Sequence, residues 1–312
     1  MVASCFSLVS LYRSYLRHQY YSAGLHPKTI QIDDQTTIHC WVPQTSVGTS
    51  SHHPPPKPPL VLIHGFGPSA IWQWRYQIRS LSPYFNIYVP DLIFFGGSTT
   101  TSVERSELFQ AASVSRMLEK LGLERFSVLG TSYGGFVAYN LARMCGERVE
   151  KVMIASSAVW RRKRDNVELM EKAGVETFAD LMLPKTAKHL RTLIGLSIYR
   201  PPSVMPDCLL NDVINALYME NREEKMQLLM GLTIGKYDDA QILPLQQEVL
   251  IIWGEYDQIF PVEKAFELYK YLGDKVRMEV IRKTSHVPQI ENPKRFNNIV
   301  KNFLLGVGNS PW

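Results

Sequence analysis

The sequence predicts an α/β fold: a mostly parallel central sheet with helices on both faces and a helical cap inserted between sheet strands. Three observations carry that prediction. From Leu60 onward, short apolar runs (LVLIHG, NIYVPDL, FSVLGTS, KVMIASS) alternate with amphipathic stretches at 71–81, 106–122 and 135–145. Apolar strands separated by helices are the signature of a parallel sheet buried on both sides. The strand pattern then stops after Ala158 and resumes with EVLIIWG and VRMEVI, each followed by a helical stretch, at 262–272 and 293–305. Lastly, residues 126–136 read FSVLGTSYGGF, an apolar strand running through a G-x-S-x-G turn into a helix.

In chain order, residues 1–28 form a lead segment with Arg13 and Arg17 and no acid before Asp33. Three readings of it stand open: a helix packed on the body, an interfacial amphipathic helix, or a Ser-rich, acid-poor transit peptide. Thr29–Val42 alternates around an Asp-Asp turn and predicts a β-hairpin. The Ser/Pro-rich stretch 44–59, with HHPPPKPP, reads as an exposed polyproline loop. Residues 29–159 are expected to make the first part of the core, 160–243 the cap, and 244–312 the rest of the core. The cap opens with Arg161-Arg162-Lys163-Arg164, read as a solvated helix start or a contact for an anionic surface. It holds six of the eleven methionines and many leucines, a composition suited to an adaptable apolar tunnel.

The G-x-S-x-G stretch is a nucleophile elbow. Ser132 must sit on a strained turn with its hydroxyl projecting, and Gly130 and Gly134 allow backbone to approach closely. The helix that follows aims N–H groups at an oxyanion, with the residue after the nucleophile, Tyr133, supplying one donor. Asp257 and His286 lie beyond two late apolar strands. Ser132, Asp257 and His286 therefore come in the order Ser…Asp…His, each past the carboxyl end of a strand, where open α/β sheets place reactive groups. Glu255, Asp238 and Asp239 compete with Asp257 as the acid. Glu291 reads as a helix-start or loop contact.

With HGFG at 64–67, PDL and GGS within 90–98, GTSYGG, WGEYDQIFP and TSHVPQIENP, the chain resembles the α/β-hydrolase superfamily over roughly residues 30–306. Within it, these motifs are most similar to monoacylglycerol-lipase-type and related plant carboxylesterases. The resemblance selects Asp257 as the acid and His286 as the base, and implies Phe66, at the family's HG-x position, as the second oxyanion donor. It implies that His64 orients this loop beside Gly65. Phe94-Phe95 stand where relatives commonly have a Gly-bearing turn, and are expected either to wall the substrate pocket with His64 and Gly65 or to repack the loop.

The net charge of +5 is modest and unaccompanied by a nucleic-acid motif. Cys5, Cys40, Cys145 and Cys208 are scattered, which favours a reducing, cytoplasmic setting, peripheral to membranes or plastid-targeted in the alternatives. No H-E-x-x-H, H-x-H or G-x-G-x-x-G pattern points to a metal or dinucleotide, so no cofactor is expected. No apolar run is long enough to span a bilayer. The expected activity is serine-based hydrolysis of a small-molecule ester or lipid with an apolar acyl chain. Carbon–carbon hydrolases and acyltransferases also keep the serine. Aspartate-nucleophile enzymes are disfavoured by Ser132. A lactone-hormone-like receptor is a further alternative, although such receptors commonly read G-H-S-x-S at the elbow.

Overall fold

The computed structural model describes residues 7–44, 57–236 and 242–307. Most of the expected polyproline loop, together with Cys5, Asp238 and Asp239, lies outside them. The described strands form one nine-stranded sheet. Strands β1 (Leu25–Gln31) and β2 (Thr36–Pro43) make an antiparallel hairpin, so strand begins at Leu25, inside the expected lead segment. β2 pairs antiparallel with β4 (Asn86–Pro90), and a two-residue strand, β5 (Thr99–Thr100), joins β2. β4, β3 (Pro59–Ile63), β6 (Phe126–Thr131), β7 (Val149–Ala155), β8 (Glu248–Gly254) and β9 (Val276–Ile281) then follow side by side in parallel.

The two faces of the sheet follow from side-chain alternation along each strand. Val61, Ile63, Val128, Ile154, Ile251 and Trp253 point into one apolar cluster, beneath α4 (Glu107–Lys120) and α5 (Tyr133–Met144). Leu60, Leu62, Leu129, Met153, Leu250 and Ile252 point into the other, against α1 (Leu8–Ser22) and α13 (Pro293–Leu304). Phe296, Val300 and Phe303 supply the buried face of α13, and Leu16 and Tyr20 that of α1. Burying such a side chain stabilises by roughly 1.5–3 kcal/mol, so α1 is an integral layer of the body. Ser7 caps it by accepting a hydrogen bond from the Ser10 N–H.

The amphipathic stretch at 71–81 is two short helices, α2 (Ala70–Gln73) and α3 (Ile78–Leu81). The break has a cause. Ala70, Ile71, Trp72, Gln73 and Trp74 are buried in succession, and Gln77 and Ile78 after them; five consecutive buried residues are more than one helical stripe can hide, and the turn lets both glutamines face inward. Likewise Pro293, which lacks an N–H, starts α13 afresh after α12 (Pro288–Glu291).

Between the neighbouring strands β7 and β8 the regular elements among the described residues are all helices: α6 (Lys163–Ala173), α7 (Phe178–Met182), α8 (Ala187–Ser197), α9 (Asp207–Leu217) and α10 (Arg222–Met230). The basic opening of this insertion is only partly solvated: Lys163 and Arg164 are exposed, whereas Arg161 and Arg162 are covered. Arg161 is buried, its guanidinium stacked over Phe178 and Phe260, and Arg162 lies over Trp160. Burial lowers the Arg161 pKa to about 10. α11 (Glu263–Tyr271) covers β8 and β9.

Candidate active site

The loops leaving β3, β6, β8 and β9 gather at the carboxyl edge of the sheet, and the site is built from them. Ser132 ends β6 and opens α5 with φ 51° and ψ −122°, a backbone conformation that a serine adopts only when its surroundings impose it. They do. The Ser132 N–H donates to the Ala155 carbonyl (2.9 Å), and the Ser132 carbonyl accepts from the Gly135 N–H (2.8 Å) and the Ser157 hydroxyl (2.6 Å). A Cβ on Gly130 would fall 2.1 Å from the Gly134 carbonyl oxygen, and one on Gly134 would fall 2.3 Å from that of Ile63. Both glycines are needed for the crossing of strand and helix.

Ser132 Oγ is 3.0 Å from His286 Nε2, and His286 Nδ1 is 2.9 Å from Asp257 Oδ2 and 3.1 Å from Oδ1. All three expected residues are thus brought together. The N–H groups of Ile259 and Phe260 each donate to Asp257 Oδ1 at 2.9 Å, which fixes the carboxylate. An acceptor at Nδ1 places the imidazole hydrogen there and leaves Nε2 free to accept from the serine hydroxyl. The loops carrying Asp257 and His286 touch: a Cβ on Gly254 would lie 1.9 Å from the Ser285 carbonyl oxygen. Asp257 and His286 are buried, and the Phe260 ring packs edge-on to the imidazole at 5.3 Å.

The β3 loop curls against the same serine. A Cβ on Gly65 would meet Ser132 Cβ at 3.0 Å. His64 donates from Nδ1 to the Gly65 carbonyl (2.8 Å) and accepts at Nε2 from the Leu92 N–H (3.0 Å). Burial holds its pKa below the ordinary value, so it is a neutral strut with no nitrogen left for proton transfer. Gln73 braces the loop further. Its Oε1 accepts from the Gly65 N–H (2.8 Å), and its Nε2 donates to the carbonyls of Gly65 (2.9 Å) and Pro68 (2.6 Å). Tyr133 opens α5, so its N–H has no acceptor within the helix, while burial raises the pKa of its phenol.

A cavity of about 250 Å³ opens on Ser132 and His286, walled by Phe66, Met182, Leu190, Leu193, Ile194 and Ile198, among others, with Trp72 and Arg75 also in its lining. Gly65 lines it; His64, Phe94 and Phe95 do not. Phe95 packs edge-on to His64 (5.1 Å) and Phe66 (5.2 Å), one layer behind the wall. Phe94, at φ 71°, turns away from it, with its ring under the Arg105 guanidinium and its carbonyl accepting from Asn221. Of the six methionines in the insertion only Met182 reaches this cavity; Met219 and Met230 are exposed. The apolar wall is instead mostly leucine and isoleucine, with Leu190, Leu193 and Ile194 from α8 and Ile198 just after it.

Glu291 is a loop contact. Its carboxylate accepts from the Ser285 N–H (2.7 Å), next to His286, and from the Tyr199 N–H (2.9 Å), just after α8. Ser285 Oγ bonds the Leu196 carbonyl (3.0 Å), and Tyr199 stacks on Tyr256 at 4.4 Å. These contacts pin the end of α8 to the loops that carry Asp257 and His286. Sequence reasoning missed Gln73 and Ser157, which act on distant backbone; the one signal for Gln73 is a polar residue inside the apolar run 70–74. Among the described residues no group of three or more His, Cys, Asp or Glu is placed to hold a metal, and no helix is long and apolar enough to cross a membrane.

Residues 58–293 match the family described as the alpha/beta hydrolase fold. The chain belongs to that family. Among curated relatives it is 27% identical over 256 residues, 79% of this chain and 94% of the other, to the pimeloyl-[acyl-carrier protein] methyl ester esterase of Vibrio campbellii. To a 2-hydroxy-6-oxononadienedioate/2-hydroxy-6-oxononatrienedioate hydrolase of Pseudomonas putida it is 23% identical, over 80% of this chain and 88% of the other. Among solved structures, a bacterial membrane phospholipase A superposes with a TM-score of 0.78 at 22% identity, covering 97% of this chain and 93% of that one, a likeness of fold. This alpha/beta hydrolase therefore sits among esterases and carbon–carbon bond hydrolases. None of these three is a plant monoacylglycerol lipase, and that narrower resemblance rests on the motifs alone.

Proposed function

We propose that this alpha/beta hydrolase cleaves carboxylic esters that carry an apolar acyl chain, with Ser132 as nucleophile. The observation that carries the reading is the unbroken relay Asp257–His286–Ser132, at 2.9 and 3.0 Å, opening on a cavity walled by leucine and isoleucine. In this route Ser132 Oγ attacks the ester carbonyl while His286 Nε2 takes its proton. The oxygen that gains charge is held by the N–H groups of Phe66 and Tyr133. His286 returns the proton to the leaving alcohol, an acyl-serine remains, and a water deprotonated by the same imidazole releases the acid. Asp257 steadies the imidazolium without taking the proton. Residues 160–243 act as the lid, and α8 sets the acyl length that fits. Side chains and water suffice for every step. A monoacylglycerol-like ester is the substrate class this reading favours, with its polar alcohol half towards Arg75.

A second reading, carbon–carbon hydrolysis, is favoured by the names of several relatives. One experiment separates them. A fluorophosphonate probe is expected to label Ser132, and purified protein is expected to release acid from p-nitrophenyl acyl esters, with Ser132→Ala losing both. Turnover of a 2-hydroxy-6-oxo-dienoate with no ester hydrolysis would overturn the ester assignment, and failure of Ser132 to label would overturn both.

A further inference from the structure

Helix α1 lies before the segment that matches the family, and its buried face leaves a second apolar stripe uncovered. Leu8, Leu11, Tyr12 and Tyr15 recur at i, i+3, i+4 and i+7, and are 53%, 58%, 39% and 53% exposed. That spacing places all four along one side of the helix. The residues that hold α1 to the body, Leu16 and Tyr20, lie on a different side. Tyr76, 44% exposed, adds a third ring from the turn between α2 and α3. Two tyrosines and two leucines kept in water are a cost the fold itself does not need.

The stripe is continuous with the cavity. The Tyr12 ring lies 5.6 Å from that of Trp72, and Trp72 lines the cavity that opens on Ser132. Half-exposed Arg75, also in the lining, lies against Tyr12, and exposed Arg79 donates to Gln19 of α1. Basic groups outnumber acidic ones around the stripe, with Glu220 and Asp91 sharing a cleft with Arg13 and Arg17. Neither residues 7–32 nor residues 57–90 contain an Asp or Glu, whereas they hold Arg13, Arg17, Lys28, Lys57, Arg75 and Arg79. Asp212 of α9, which reaches the start of α1, is taken up by the Ser7 hydroxyl (2.7 Å) and the Val9 N–H (3.2 Å).

We propose that this face of α1, with Tyr76 and the flanking arginines, docks on an anionic lipid surface and hands acyl substrate past Trp72 into the cavity. Amphipathic tyrosines suit the boundary between headgroup and acyl chain, leucines the layer beneath it, and arginines the anionic headgroups. A pocket for acyl chains gains from such a plate, because its ligands are sparse in water and concentrated in lipid. The handover rests on the ester-hydrolase reading; the docking does not.

The test uses the full-length Ser132→Ala protein, so that binding is read apart from hydrolysis. It is expected to co-sediment with vesicles of phosphatidylcholine and phosphatidylglycerol, and to be released by high salt. Adding Leu11→Ser and Tyr15→Ser, both at exposed positions outside the cavity, is expected to weaken binding at least tenfold with Tm unchanged. Arg79→Gln is expected to weaken it on anionic vesicles alone. In the active protein the same two serines are expected to leave a soluble short-chain p-nitrophenyl ester turned over as before, and to cut hydrolysis of an acyl ester embedded in vesicles at least tenfold. No vesicle binding by the parent protein, equal binding by the double variant, or a dimer in solution that the double variant dissolves would overturn the proposal. Loss of all esterase activity with vesicle binding intact would overturn the ester assignment alone.

Discussion

At Gly134 the helix that follows Ser132 crosses the end of β3 so closely that a methyl group would sit 2.3 Å from the Ile63 carbonyl oxygen and 2.4 Å from that of His64. Backbone atoms cannot swing aside as a side chain can, so Gly134→Ala is expected to cost about 1–3 kcal/mol or more, read as a fall in urea midpoint. Asp257→Asn keeps the volume but offers an amide where Nδ1 needs an acceptor. It is expected to lower kcat by about 10⁴-fold, with KM little changed, in p-nitrophenyl ester assays. His64 makes a pH prediction. Burial keeps it neutral in the folded protein below its ordinary value of 6.5, whereas the unfolded chain takes up a proton there. The stability that His64 confers is therefore full above about pH 6.5 and declines as pH falls towards the lowered folded value. In urea titrations, wild type is expected to lose more stability than His64→Asn between about pH 7 and pH 5. The three residues of the hydrogen-bonded relay were legible because each sits in a local pattern of its own: a glycine-framed serine, and an aspartate and a histidine just past apolar strands. Gln73 and Ser157 were not, since their partners are carbonyls and N–H groups that no local pattern reveals.

Among the elements, α8 carries the clearest test. Leu190, Leu193, Ile194 and Ile198 face the cavity, so Ile194→Trp is expected to shift preference towards shorter acyl chains. Activity on a C4 ester should stay within about threefold while that on a C12 ester falls tenfold or more, a difference of about 1.4 kcal/mol. A profile of p-nitrophenyl esters by chain length would reveal it. Periodicity foretold the helices and most strands here. It did not foretell the break of 71–81 into α2 and α3, because that depends on two glutamines turning inward to partners at Gly65, Pro68, Gln289 and Asn297. Nor could it aim Phe94 and Phe95, whose directions follow from a left-handed backbone at Phe94. The arginines at 161–164 looked solvated from their charge. Aromatic rings far off in sequence bury the first of them.

Over the whole molecule, the parallel sheet and the interruption by helices were plain from the run of apolar segments. Strand order was not, and neither was the packing of α1 on the same side as α13, since both are set by contacts between distant segments. The bond from Ser7 to Asp212 spans 205 positions, and Arg13 reaches the Ala216 carbonyl in the same way. During synthesis α1 must therefore wait for α9, some 200 residues later, before these fastenings exist. A protein cut before Leu25 is expected to exchange amide hydrogens faster in α9 while β6 and α5 stay protected, as mass spectrometry would record. An affinity tag fused at that end would then disturb a region remote from it in sequence, so a recombinant version is better tagged at its other terminus.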